Sequence, residues 1–275
     1  MTRTAKNARE IAQYRVSGKP SSEAQEIAER LKRDGYVILP SFIDMQRVNA
    51  LRQLVDKEIE AGVRVTPIMK LIKGYGHEVE TGLDPREVDI SVSDPLTLHQ
   101  EFVNFALDQS LLDIINAYNG TYTSMIDFLA WRNTVNELKP LGSYNWHRDP
   151  EGPYLIKSFL YLNDVDEDTT HFAFARGSHQ DTLKTWQLTG SLSDEDLAKL
   201  IPKTDWIHML GPAGTVILAD TNGYHKGSKG TKERYMLSGI YNVETSKEGP
   251  RVDSRFLAGM SPAQKKSTKF CRIEP

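Results

Sequence analysis

The stretch Gly211-Pro-Ala-Gly-Thr-Val-Ile-Leu-Ala-Asp220-Thr-Asn-Gly-Tyr-His225-Lys-Gly227 sets the reading of the whole chain. A Gly-Pro-Ala-Gly turn leads into an apolar run over residues 214–220, and a second turn around Asn222-Gly223 leads into a shorter run over 223–227. Short apolar runs bounded by turn residues are strands; helices need longer, 3.6-periodic patterns. Outward from this stretch the pattern recurs at 122–135, 154–163, 171–176, 205–210 and 234–243. Residues 191–200, with Ser193 and Asp196 in capping positions, predict a short helix inside a long connection.

The first 119 residues read differently. Ser22 with Gln25 three residues on forms a capping box, followed by Ala24, Ile27, Ala28 and Leu31 at helical spacing up to Gly35. A second helix is predicted from about Asp44 to Gly62, with Val48, Leu51, Val55 and Ile59 on one face, and a third helical stretch over 95–119. Between the first two, residues 36–40 form a strand closed by proline. There is no internal repeat and no Gly/Ser or Pro-rich linker, so residues 1–275 read as a single domain. Its parts are a helical buttress with loops (1–119), a jelly-roll or antiparallel-barrel core (120–243), and a C-terminal extension (244–275) expected to be ordered only in part.

Composition narrows the function classes. Lys plus Arg number 34 against 37 Asp plus Glu, a net charge of −3, which offers no footprint for nucleic acid or an anionic membrane. The single cysteine, Cys271, precludes an intrachain disulfide or thiolate metal cluster and fits a cytoplasmic protein. Residues 1–20 lack the apolar region of a signal peptide, and no stretch approaches the roughly 18 apolar residues of a membrane span. The expected partner is a small molecule; oligomeric state is not encoded in any motif.

Three His-x-Asp/Glu triplets occur, His99 with Glu101, His147 with Asp149, and His179 with Asp181; about one is expected by chance in a chain this acidic. Residues i and i+2 diverge on a helix and share a face on a strand. His99 and Glu101 fall in a helical pattern and are expected at the surface, whereas His147 and Asp149 stand before a long strand. A second histidine on a neighbouring strand would complete a 2-His-1-carboxylate triad, which leaves open positions on Fe(II) for a 2-oxo acid and O₂. His225 is the candidate: four strand-like runs separate it from Asp149, enough to travel round a jelly roll and return, and only two separate it from His179. Nine residues further on, Arg234 opens the last strong strand and is placed to take the distal carboxylate of 2-oxoglutarate. Ser238 has the same strand parity, and Arg132, Lys157 and Arg176 are further cations that could reach the co-substrate or an anionic substrate. His77 reads as loop, His208 as a strand residue, and segments 63–93 and 180–204 as lids.

In these segments the chain resembles the phytanoyl-CoA dioxygenase-like Fe(II)/2-oxoglutarate oxygenases. The matching pieces are Trp146-His-Arg-Asp149, Ser158-Phe-Leu-Tyr-Leu-Asn-Asp-Val165, Phe172-Ala-Phe-Ala-Arg-Gly-Ser-His179, residues 211–220, and Tyr224-His-Lys-Gly227 through Arg234, with Asp34-Gly-Tyr-Val-Ile-Leu-Pro40 as the N-terminal strand. The resemblance implies a double-stranded β-helix (cupin-like jelly roll), His147, Asp149 and His225 as iron ligands, and Arg234 as co-substrate anchor. It makes His179 a structural landmark. Thr170-His171 stands where the family usually has Gly-Pro, and the His225-to-Arg234 interval is a residue or two short. A retained Asp149 argues against halogenation, which needs that position vacant. The expected activity is a dioxygenase consuming Fe(II)-bound 2-oxoglutarate and O₂ to hydroxylate a small metabolite. The alternatives are a non-catalytic jelly-roll binding protein and a cupin-like metalloenzyme that ignores 2-oxoglutarate.

Overall fold

A computed structural model describes residues 8–17, 20–67, 89–135, 142–149, 152, 154–181, 190–243 and 248–275. Two β-sheets face each other. The larger has the order β1-β8-β5-β10-β4-β3-β2, and the smaller the order β7-β6-β9. In chain order these strands are β1 (Tyr36–Leu39), β2 (Val65–Pro67), β3 (Ile90–Val92), β4 (Ser124–Asn133), β5 (Ile156–Tyr161), β6 (His171–Ala175), β7 (Trp206–Met209), β8 (Val216–Asp220), β9 (His225–Ser228) and β10 (Arg234–Asn242). All their pairings are antiparallel. The double-stranded jelly roll expected from the sequence is present as an open sandwich, not a closed barrel.

Every residue of β10 is buried because the large sheet is covered on both faces. Tyr235, Leu237 and Tyr241 point to the helices, where they join Leu31, Val48, Leu51, Phe102, Phe105, Leu111 and Ile115. Met236, one residue out of step, points between the sheets to Phe159, Tyr161, Phe172, Phe174, Met209 and Ile217. Each large apolar side chain so buried stabilises the fold by about 1.5–3 kcal/mol.

The helices form where capping and periodicity place them. Helix Ser22–Asp34 is capped by Ser21, one residue before the serine that the capping-box pattern selects: the Ser21 hydroxyl accepts from Ala24 N at 3.1 Å. Helix Met45–Ala61 runs from the Asp44 cap to Gly62 as expected. The stretch 95–119 divides into a 3₁₀ turn and helices Gln100–Ala106 and Gln109–Asn119, the second capped by Asp108. A further helix, Ala8–Ser17, precedes them.

One sequence expectation changes. Residues 248–275, expected to be only partly ordered, form a parallel strand pair, β11 (Arg251–Asp253) with β12 (Arg272–Glu274), around helix Pro262–Ser267, with Val252 and Ser267 fully buried. The small helix in the long connection is there (Asp194–Ala198, capped by Ser193). No helix among the described residues is long and apolar enough to cross a membrane.

Candidate metal centre

The chain brings His147 and His225 together through backbone pairing. His147 N donates to His225 O at 2.9 Å and His225 N to His147 O at 3.0 Å, a reciprocal pair that sets both side chains on one face. Asp149 N donates to Thr221 O at 3.0 Å, so the extended geometry continues and Asp149 shares the face of His147. The ligand atoms of these three residues lie within 4.8 Å of one another, and theirs is the one such His/Cys/Asp/Glu group among the described residues.

Their chemistry suits a divalent metal. His147 Nδ1 hydrogen-bonds Asn145 O at 2.8 Å and His225 Nδ1 hydrogen-bonds Gly223 O at 3.0 Å. A carbonyl only accepts, so both Nδ1 atoms carry the proton and both Nε2 lone pairs face inward. Burial, reinforced by the facing His225, pushes the His147 pKa down to about 4, which keeps its imidazole neutral at pH 7. Burial alone would raise the pKa of Asp149, but the Lys157 ammonium, 2.7 Å from Oδ2, and the two histidines hold it well below the usual carboxylate range. Asp149 Oδ2 is inaccessible to solvent and lacks a well-aligned hydrogen bond, as a metal ligand would in the absence of its ion.

The turn before β9 is held by packing. Tyr224 N donates to Ser178 Oγ at 2.8 Å and Ser178 Oγ to Ala175 O at 2.6 Å, which ties the Gly177-Ser178-His179 turn to the segment that carries His225. Gly223 is required here, since a Cβ would lie 2.4 Å from the Phe174 ring. On the other side Trp146 exchanges backbone hydrogen bonds with Leu192 and donates Nε1–H to Asp194 at 2.7 Å, so the described part of the 180–204 connection packs beside His147. Residues 182–189, and 68–88 of the other expected lid with His77, lie outside the described residues.

Arg234 opens β10 on the inward parity of Met236 and is 6% exposed. Its Nε and Nη2 donate to Asn133 Oδ1 at 3.1 and 2.8 Å, and it also interacts with the Tyr161 hydroxyl. Tyr161, Phe159 and Phe172 line the space between the sheets, and the Phe172 ring is 5.4 Å from that of His225. Ser238 is buried on the same parity, further along β10 opposite Phe159. Arg132 is not brought to the site: it pairs in register with Tyr235 and interacts with its hydroxyl on the helical side of the sheet. Arg176 is on the outer surface with Asp205. His99, expected at the surface, is partly buried, with Nε2 hydrogen-bonded to Glu58 Oε1 at 2.8 Å. His179 accepts the structural role, with Nε2 donating to Lys32 O at 2.9 Å, while exposed His208 lies 2.6 Å from buried His171. Lys157 on Asp149, and Asn133 on Arg234, are contacts that depend on strand register and carry no local sequence signal.

A jelly roll with an inward 2-His-1-carboxylate triad defines a mononuclear non-haem iron oxygenase. The family model of phytanoyl-CoA dioxygenase (PhyH) matches residues 31–234, and the chain belongs to that family of oxygenases. Among solved structures it is similar to the non-haem alpha-ketoglutarate-dependent epimerase SnoN from nogalamycin biosynthesis (16% identity over 80% of this chain and 83% of that one, TM-score 0.60). It is also similar to EctD from S. alaskensis with bound Fe (17%, 82% and 80%, 0.59) and to HygX from Streptomyces hygroscopicus with nickel and 2-oxoglutarate (14%, 82% and 90%, 0.52). At these identities the likeness is one of fold. Curated proteins give no significant match.

Proposed function

We propose that the protein is an Fe(II)- and 2-oxoglutarate-dependent dioxygenase that oxidises, in the simplest case hydroxylates, a C–H bond of a small-molecule metabolite, with release of succinate and CO₂. The observation that carries this reading is the meeting of two Nε2 lone pairs and one ionised carboxylate on the inner face of the jelly roll. His147, Asp149 and His225 would hold the iron, which when bound supplies adjacent open positions for a chelating 2-oxo acid and O₂. Arg234 fixes the co-substrate's distal carboxylate by charge-assisted hydrogen bonds, and Ser238 is a lesser candidate for a contact further along the same face. Phe159, Phe172 and Tyr161 keep water from the space between. Residues 1–275 act as one unit in a reducing cytoplasm, in keeping with the lone, partly buried thiol of Cys271.

Support for a small-molecule substrate comes from the neighbours: SnoN was crystallised with Fe3+, alpha ketoglutarate and nogalamycin RO, and HygX with hygromycin B. SnoN is an epimerase and SnoK a carbocyclase, so hydroxylation is the least specialised of several outcomes that one site of this kind supports. The test is succinate formation by purified protein with Fe(II), ascorbate and 2-oxoglutarate, screened for stimulation by candidate metabolites, with His147→Ala as blank. Metal binding without 2-oxoglutarate binding or turnover would replace this reading with a jelly-roll binding protein. Activity indifferent to O₂ and 2-oxoglutarate would replace it with a cupin-like hydrolase or isomerase.

A further inference from the structure

Arg234 is the cation to which the proposed function assigns the distal carboxylate of 2-oxoglutarate, and its orientation is not left to chance. Asn133 Oδ1 accepts from both Nε and Nη2, at 3.1 and 2.8 Å, so the side edge of the guanidinium is occupied by a neutral acceptor. The amide is itself held: Asn133 Nδ2 donates to Asp89 Oδ2 at 3.0 Å, and Asp89 accepts from Thr134 N at 2.7 Å and from the Tyr144 hydroxyl at 3.2 Å. The Asp89 carboxylate can only accept, which fixes the nitrogen end of the Asn133 amide, and the oxygen therefore has to face Arg234. The Asp89 carboxylate thus acts through a neutral relay and does not itself contact the guanidinium.

We propose that Asn133 is a positioning residue for co-substrate binding: it clamps the Nε/Nη2 edge of Arg234 without neutralising its charge and so presents the Nη1/Nη2 edge, still fully cationic, to an incoming carboxylate. The inference rests on the 2-oxoglutarate reading of Arg234. A carboxylate in place of Asn133 would accept the same two hydrogen bonds from Arg234 but would satisfy the arginine internally and compete with the ligand. A hydrophobic wall would leave the fork unoriented and cost the ligand the ordering of a long side chain.

The test exploits an exchange of the two partners. Asn133→Asp with Asp89→Asn together conserve net charge and keep positions 133 and 89 hydrogen-bonded with the donor reversed, and they move the negative charge into contact with Arg234. Anaerobic 2-oxoglutarate binding to the Fe(II)-loaded exchange variant should weaken roughly tenfold or more, with melting temperature and iron affinity close to native, and the KM for 2-oxoglutarate should rise much more than kcat falls. Asn133→Ala, which keeps the fold by a smaller change, should likewise weaken 2-oxoglutarate selectively. An exchange variant that folds and binds 2-oxoglutarate within twofold of native overturns the inference, as does an Asn133→Ala variant that loses iron and 2-oxoglutarate equally. Native protein that binds iron and not 2-oxoglutarate overturns the functional reading, and this inference with it.

Discussion

The imidazoles of His147 and His225 lie 4.2 Å apart, centroid to centroid, and each is bound through Nδ1 to the carbonyl two residues before it, Asn145 in one segment and Gly223 in the other. Residues 78 positions apart thus use one local device, an extended backbone that fixes its own histidine's tautomer, and the reciprocal hydrogen bonds between the segments bring the two devices face to face. The centre is organised by main-chain geometry before any ion arrives.

Removing one of these imidazoles should therefore abolish the metal centre without unfolding the chain. His147→Ala is expected to weaken Fe(II) or Ni(II) binding on the order of 100-fold, measured by calorimetry, with little change in melting temperature because His147 is at the edge of the packed interior. Unaltered metal affinity would remove the triad from consideration.

Arg234→Ala separates the co-substrate from the metal. The apparent requirement for 2-oxoglutarate should rise on the order of 10- to 100-fold while iron affinity stays near native, read as KM against the metal dissociation constant. Comparable losses in both would mean that Arg234 supports the fold and not the ligand.

Gly223→Ala places a methyl 2.4 Å from the Phe174 ring and 2.8 Å from Ser178 Oγ, in a turn that has no slack. A destabilisation of about 1–3 kcal/mol is expected from overpacking, together with weaker metal binding, because the Gly223 carbonyl holds His225. Denaturant titration of the metal-free and metal-loaded protein measures both; a variant as stable as native would show the turn to be compliant.

Burial pushes the Cys271 thiol up to about 12 from an ordinary 9.0, so the folded state holds its proton where the unfolded chain would release it. This contribution to stability is complete below pH 9 and is lost as the pH rises toward 12. The native protein should accordingly resist thiol alkylation at pH 8 and react fully once denatured. Rapid labelling of native protein would show that the C-terminal segment opens readily.

The strands of the core and the caps of the main helices were legible because their signals are local: turn residues around short apolar runs, and Asp44, Ser193 and Gly35 at helix ends. The pairing of His147 with Asp149 was legible for the same reason, since extended backbone places residues two apart on one face, and His225 joins them through the tertiary bridge to His147. The parity of Arg132 is not legible because the sequence of β4, from Ser124 to Asn133, runs Ser-Met-Ile-Asp-Phe-Leu-Ala-Trp-Arg-Asn with no clean apolar–polar alternation. The pairing of Arg234 with Asn133 puts Asn133 inward and its neighbour Arg132 outward. The order of residues 248–275 has no local signal because its buried positions, among them Val252, Ala263 and Ser267, are few, small and widely spaced.

What the sequence determined by itself was periodicity, capping and the placing of His147 and Asp149 on one face, all consequences of backbone geometry over a few residues. What the tertiary structure alone decided was register: that Lys157 meets Asp149, that Asn133 meets Arg234 and Asp89, and that the sheets stay open. Register depends on the summed packing of two covered sheet faces, and a shift of one residue would turn every one of these side chains to the other side.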